Sequence, residues 1–307
     1  MMISENPEIL PSKRNRSVTP RLRRKPLRAL SQNLSNKFDD PDLKDCQNPH
    51  SLPYYACEIF DNLHKSETKF MVNPSYMDLH TEINYKMRAI LIDWLVIVHY
   101  KFKFTPETLF ITVNILDRYL SLKNVSKHHL QLVGVTSLFI ASKYEEIHPP
   151  AISNLVALTD NAYTKEQIIE MEGDILRALD FQITNPSVLR FFERMHKLAL
   201  SDLAFDNIEM YLGRYLIELS LIEYFMLKYK PSLIAASAVY LSRKLLNIQP
   251  AWNPILDKHS RTDENLLKQC AKDLFVLFQS AQYHSLTSIR EKYSKIELME
   301  VSQLKVS

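Results

Sequence analysis

"LVGVTSLFIASK", residues 132–143, reads as a helix in which Gly134, Thr136, Ser137, Ala141 and Ser142 are small enough to let neighbouring helices close in. About a hundred residues later "LIAASAVYLSRK", residues 233–244, repeats it. Val133 falls on Ile234, Thr136 on Ser237, Leu138 on Val239, Phe139 on Tyr240 and Lys143 on Lys244. In the helix before each, "DRYL" (117–120) lies over "GRYL" (213–216) at a nearly equal offset. The chain therefore reads as two bundles of five helices, each about 100 residues long and each built around a small-residue third helix.

Composition agrees with an all-α chain. Only three glycines occur, Gly134, Gly173 and Gly213. No turn holds the several glycines with which dinucleotide-binding and P-loop enzymes bring backbone N–H groups to phosphate, and hairpin-rich β folds draw on the same residue. Cys46, Cys57 and Cys270 are odd in number and widely spaced, which fits a reducing compartment such as cytosol or nucleus. The net charge of +3 hides a split. Residues 11–30 hold eight Lys and Arg and no acid, so the remainder is slightly acidic, with 35 acidic residues, and poorly suited to tracking nucleic-acid phosphates.

Residues 1–48 mix Pro, Ser, Asn and Arg without apolar periodicity and read as a disordered regulatory tail. A helix and linker over 49–79 precede a first bundle at 80–183 and a second at 184–284, with a C-terminal tail at 285–307. The pattern predicts helices over 80–102, 106–121, 126–144, 150–159 and 165–179, then 187–199, 205–226, 231–247, 251–259 and 263–282. Thr105 with Pro106 and Glu107, the capping box of Thr164 with Gln167, and Asn185 before Pro186 supply starts. "MRAILIDWLVIVH" (87–99) is apolar on nearly every side yet too short for a membrane span of about 20 residues, so it is either central or lends a face to a partner. Met87, Ile90, Leu91, Trp94 and Val98 form its stripe, flanked by Ala89, Ile92, Leu95 and Val96.

With "MRAILIDWLV", "LQLVGVTSLFIASKYEEIHPP", "LTDNAYTKEQIIEMEGDILRALDF" and "YLIELSLIEYFMLKYKPSLIAASAVYLSRK" in view, the chain resembles the cyclins, most closely the B-type mitotic cyclins, from about Leu52 to Tyr293. The resemblance implies two cyclin boxes and a regulatory subunit that activates a cyclin-dependent protein kinase without contributing a catalytic residue, a cofactor or a metal. It carries over Arg88, Asp117, Leu132, Lys143 and Glu172. Arg88 and Asp117 are then a structural ion pair within the first bundle. Lys143 and Glu172 face the kinase, ringed by Ile140, Tyr144, Phe181 and Ile183, with Tyr55 and Ile59 from the preceding helix. Met87, Ile90, Leu91 and Trp94 with Gln131 correspond to a shallow patch that docks Arg-x-Leu segments of substrates and inhibitors; Ile97 stands where several members carry an arginine-meeting Glu or Gln.

In the tail, "KR" (13–14) and "RRK" (23–25) approximate a nuclear import signal, and Thr19 before Pro20 is a minimal proline-directed phosphorylation site. Arg24 and Leu27 give the RxxL core of a destruction box, the handle of the mitotic-exit ubiquitin ligase, although Gln32 occupies the place of its final asparagine. These signals predict a protein of nucleus and cytoplasm. His128 and His129 at a helix start read as solvated side chains. The competing architecture with the same doubled fold, a transcription-factor-IIB-like core, calls for a basic folded region and usually a zinc ribbon; Cys46 and Cys57 are not a close ligand pair.

Overall fold

In the computed structural model, which describes residues 52, 54–199 and 206–304, the periodic segments are helices: α1 Ala56–Ser66, α2 Tyr85–Phe102, α3 Pro106–Leu122, α4 Leu130–Glu145, α5 Ile152–Leu158, α6 Lys165–Ala178, α7 Val188–Ala199, α8 Asp206–Ile222, α9 Pro231–Leu245, α10 Pro254–Ser260, α11 Glu264–Ser280 and α12 Ser288–Lys292. No strand occurs among the described residues. Thr19, Arg24 and Leu27 lie outside them.

Local chemistry sets the helix ends. The Asn84 carboxamide oxygen accepts from the N–H groups of Lys86 and Met87, so α2 starts at Tyr85 rather than at residue 80. Thr164 and Gln167 form the reciprocal capping box that opens α6. Asn185 is not a cap: Ser187 Oγ accepts the Arg190 N–H at 3.1 Å, and α7 begins one residue after that serine. The segment expected as one helix over 126–144 splits into a 3₁₀ turn at Lys127–His129 and then α4, and that over 205–226 ends at Ile222 before a 3₁₀ turn, Tyr224–Lys228.

The two small-residue helices, α4 and α9, are central. α4 is buried from Leu132 to Ser142 and packs on α2, α3 and α6; α9 packs on α7, α8 and α11. Gly134 shows why size matters, since a Cβ there would stand 2.7 and 2.9 Å from the Leu91 methyl carbons. Its absence lets α2 and α4 touch and sinks Leu91 into the core. The α2 register therefore differs from the simple stripe: Arg88, Leu91, Ile92, Leu95, Val96, Val98 and His99 face inward, Met87 and Trp94 are half-buried, and Ile90 and Ile97 are exposed.

Arg88 and Asp117 meet where the two bundles join. Arg88 is 1% exposed; its Nε and one terminal nitrogen donate to the two Asp117 carboxylate oxygens at 2.6 and 2.7 Å. Its other terminal nitrogen donates to the carbonyls of Leu221 (3.0 Å) and Ile222 (3.2 Å) at the C-terminal end of α8, and the Tyr76 hydroxyl donates to Asp117 at 2.8 Å. Burial opposes the charge on Arg88, but the Asp117 carboxylate outweighs it and holds the guanidinium above its ordinary pKa. In the second repeat the aligned position is Gly213, and the Phe192 ring fills the space its Cβ would need.

α1 lies on the second bundle, with Phe60 and Leu63 against that core. After it, buried Glu67 accepts from the N–H and hydroxyl of Ser232 at 3.1 and 3.0 Å and so caps α9. Burial alone would raise the Glu67 pKa, yet His64 and these Ser232 bonds leave it lowered. Residues 288–304, inside the stretch read as a tail, pack on the body. Ser288 donates through N–H and Oγ to Asp93 at 3.1 and 2.5 Å, Lys292 and Tyr293 both reach Glu218 at 2.7 Å, and Ile289, Tyr293 and Val301 are buried.

Candidate functional site

Lys143 is the last basic residue of α4, and Glu172 sits on the outer side of α6. The packing of these two helices brings the side chains into an ion pair, with Lys143 41% and Glu172 14% exposed. The ammonium also lies 4.3 Å from the centre of the Phe139 ring, one turn earlier on α4, which fixes the lysine stem along its helix. The second repeat keeps half of this device: Lys244 lies 5.0 Å over Tyr240, while Asp273 is engaged by Lys228 and Tyr229 at 2.9 and 2.8 Å.

Four of the apolar residues expected beside the pair are exposed. Tyr144 and Phe181 are 48% and 68% exposed, and the Tyr144 hydroxyl shares a hydrogen bond with Thr184. Phe181 follows Asp180 in the left-handed region, at φ 55° and 51°, a conformation that costs a bulky side chain about 1–2 kcal/mol. The turn is held by the Phe181 N–H to Leu176 O at 2.9 Å and by Arg118 donating to Gln182 O at 2.7 Å. A strained backbone thus keeps an aromatic ring in solvent. Tyr55 and Ile59, at the N-terminal end of α1, are exposed as well.

Ile140 and Ile183, expected beside the pair as well, are buried at 4% and 8% exposure and are core residues. The reason is geometric, because Ile140 precedes Lys143 by three positions on the inner side of α4, and Ile183 turns inward after the Phe181 bend. Sequence reasoning passed over Ile147, at 90% exposure the most open large apolar side chain of the chain's described part. Its position is set by Glu146, which follows α4 and accepts from the Thr105 N–H at 2.8 Å, the Thr105 hydroxyl at 3.1 Å and the Thr108 hydroxyl, capping α3 from outside. The signal available in the sequence was the pair Glu145–Glu146 at a helix end, where the macrodipole disfavours acids unless another helix start receives them.

The other expected site residues lie on α2 and α4. Ile90 is 57% and Ile97 54% exposed, Met87, Trp94 and Gln131 are half-buried, and Leu91 is removed from the surface by its contact with Gly134. Asp93 accepts from the Ser288 N–H and hydroxyl through one carboxylate oxygen, Oδ1. Among the described residues no cluster of His, Cys, Asp and Glu could hold a metal, and no helix is long and apolar enough to cross a membrane.

This geometry sets a charged pair between α4 and α6 and exposed aromatic side chains at the C-terminal ends of both. Family models describe the chain in two parts: cyclin N-terminal domain over residues 58–184 and cyclin C-terminal domain over 186–307. The G2/mitotic-specific cyclin-B of Marthasterias glacialis is 42% identical over 91% of this chain and 70% of its own length. Cyclin-B2-2 of Oryza sativa subsp. indica is 42% identical over 83% of the chain and 60% of that protein. A putative cyclin-A3-1 of Arabidopsis thaliana is 36% identical over 100% of the chain and 86% of its own length. In fold, the chain is similar to a viral cyclin from herpesvirus saimiri, with a TM-score of 0.66 and 23% identity over 75% of this chain and 99% of that one. Two matched cyclin domains, and relatives above 40% identity that are G2/mitotic B-type cyclins, place the chain in the cyclin family.

Proposed function

We propose that this cyclin binds a cyclin-dependent Ser/Thr protein kinase through the surface centred on Lys143 and Glu172, activates it allosterically, and acts at the G2/M transition. The observation that carries the reading is the Lys143–Glu172 ion pair, in a chain that leaves Tyr55, Ile59, Tyr144, Ile147 and Phe181 exposed. In the family such a pair bonds the backbone around the small-lobe helix that bears the kinase's catalytic glutamate. An isolated kinase of this class holds that helix outward, away from the strand lysine that positions ATP phosphates. A preformed helical surface selects the inward state and helps order the activation loop. The chain itself supplies no catalytic group. A transcription-factor-IIB-like role is not favoured, because its folded part is not basic.

The test is reconstitution with a cyclin-dependent kinase on Ser/Thr-Pro substrates. Lys143→Ala and Glu172→Ala should each weaken association by about 2 to 5 kcal/mol, as when one partner of a buried charged hydrogen bond is truncated. Melting temperatures should stay near that of the parent. Normal binding and activation by both variants would refute the placement of the interface.

The exposed strip of α2, with Met87, Ile90, Trp94 and Ile97 beside Gln131, recruits substrates or inhibitors by accepting the leucine of Arg-x-Leu segments. The arginine contributes little, because Ile97 offers no acceptor; a strong arginine preference would assign that role to Asp93, which accepts from Ser288 through Oδ1 alone. Arg24 and Leu27 serve the mitotic-exit ubiquitin ligase, Thr19 is a phosphorylation site, and the basic tail directs the chain between cytoplasm and nucleus. Half-life after Arg24→Ala with Leu27→Ala, followed through mitotic exit, tests the degron.

A further inference from the structure

Two Thr-Pro dipeptides occur in the chain, Thr19-Pro20 and Thr105-Pro106, and only the second lies among the described residues. Thr105 is exposed, with extended backbone at φ −61° and ψ 147°, and ends the short link of Lys103, Phe104 and Thr105 between α2 and α3. It stands at the N-cap of α3 but does not cap that helix with its own side chain. Its hydroxyl and N–H donate instead to one carboxylate oxygen, Glu146 Oε1, at 3.1 and 2.8 Å, and the Thr108 hydroxyl donates to the same atom. All three are neutral donors, so Glu146 keeps its full negative charge. Glu146 is the residue after α4: Lys143 and Tyr144 precede it, and Ile147 follows. Three hydrogen bonds on one oxygen thus tie the exit of α4 to the start of α3.

We propose that Thr105 is a phosphorylation site for a proline-directed Ser/Thr kinase, and that its phosphate frees the end of α4 and weakens association with the activated kinase. The second half rests on the reading of Lys143 and its neighbours as the kinase surface. In the transfer, Thr105 Oγ attacks the γ-phosphorus of ATP; the Oγ–P bond forms as the bond to ADP breaks, and the hydroxyl proton passes to the modifying kinase's base. Two things then change at Glu146. It loses a hydroxyl donor, and it acquires as neighbour a group of about −1.5 to −2 charge on the very oxygen that had bonded it. The Thr105 N–H, the Thr108 hydroxyl and the N-terminal end of α3 suit the phosphate, which takes over the cap, so α3 survives. Glu146 is expelled by like charge, and Tyr144 and Ile147 lose the anchor that sets their direction. Lys103, exposed two positions before Thr105, tempers the repulsion without restoring the lost donor.

The test uses the full-length chain with Thr19→Ala, so that one Thr-Pro dipeptide remains. It is incubated with ATP and a cyclin-dependent kinase held by another cyclin, then titrated calorimetrically with an unmodified cyclin-dependent kinase. Tandem mass spectrometry should place a phosphate on Thr105, the affinity should fall about tenfold, the size of an ordinary coupling between two sites, and the amides of Glu146 and Ile147 should exchange faster. Adding Thr105→Val should abolish the response to treatment. Thr105→Glu alone should weaken binding, and Glu146→Lys in the same chain should restore it by turning repulsion into attraction. No phosphate on Thr105, under conditions in which an unfolded peptide of residues 99–111 is modified, would overturn the proposal. So would a Thr105 phosphate that changes neither exchange nor affinity in a chain whose Lys143→Ala variant binds weakly. Faster exchange, with affinity indifferent both to the phosphate and to Lys143→Ala, would support the release of Glu146 and refute the kinase surface, and with it the regulatory half of the proposal.

Discussion

Glu107, in the first turn of α3, gives a test of the fold that does not depend on any partner. Its side chain is 8% exposed, accepts from the Ser187 hydroxyl at 2.9 Å, and has the Arg190 guanidinium 3.6 Å away. Burial is the largest influence and raises its pKa from 4.5 to about 6, against the smaller downward pull of Ser187 and Arg190. A carboxyl that is harder to ionise in the folded chain than in the unfolded one binds more protons when folded. Stability contributed at this site is therefore highest below pH 4.5 and is lost as pH rises through 6. The shift corresponds to about 2 kcal/mol. Glu107→Gln keeps an oxygen for Ser187 and removes the charge, so it should stabilise the chain by about 1 to 2 kcal/mol at pH 7 and by almost nothing at pH 4.5. Urea unfolding of parent and variant across this range reads the difference directly. A variant that is less stable at pH 7, or a gap that widens toward acid, would show that Arg190 and Ser187 stabilise the ionised carboxylate more than burial penalises it.

Three further outcomes follow from the packing. Asp117→Ala leaves the buried Arg88 guanidinium and the Tyr76 hydroxyl without their acceptor, so it should cost about 3 to 5 kcal/mol in chemical denaturation, whereas a surface acid such as Glu264 should cost less than about 1. Gly134→Ala drives a methyl into Leu91 and should destabilise by about 1 to 3 kcal/mol. Gly173→Ala meets only the movable end of Arg177, at 3.2 Å, and should stabilise α6 by about 0.5 to 1 kcal/mol, visible as a rise in melting temperature.

What the sequence made legible was whatever depended on period and local chemistry. The doubled small-residue helix announced two bundles because close helix approach demands small side chains at fixed intervals, and the Thr164 capping box was readable because both of its partners lie within four residues. What escaped depended on contacts far apart in the chain. Nothing near Leu91 says that Gly134, 43 positions on by the numbering, will bury it; nothing near Thr105 says that Glu146 caps its helix. Residues 288–304 escaped for a related reason: Ile289 and Tyr293 share a face of a helix only five residues long, Val301 stands apart from it, and their burial comes from surfaces that α2 and α8 offer only once folded.

The same distinction separates the two halves of the candidate site. Lys143 and Glu172 could be named from their flanking strings, but which of the expected neighbours are exposed could not, since Ile140 and Tyr144 are four positions apart on one helix and differ in exposure from 4% to 48%. The helix turns by 3.6 residues, so a residue four positions on keeps its direction only approximately; α4 ends at Glu145, where its last turn projects past the core that covers Ile140. The end of a buried helix is where an apolar side chain first reaches solvent. Lys143, Tyr144 and Ile147 all lie at or just beyond that end, and the Glu146 cap on α3 fixes the direction in which the chain leaves it. The Lys143–Glu172 pair is thus formed within the chain alone, which suits a protein that acts by selecting one state of another.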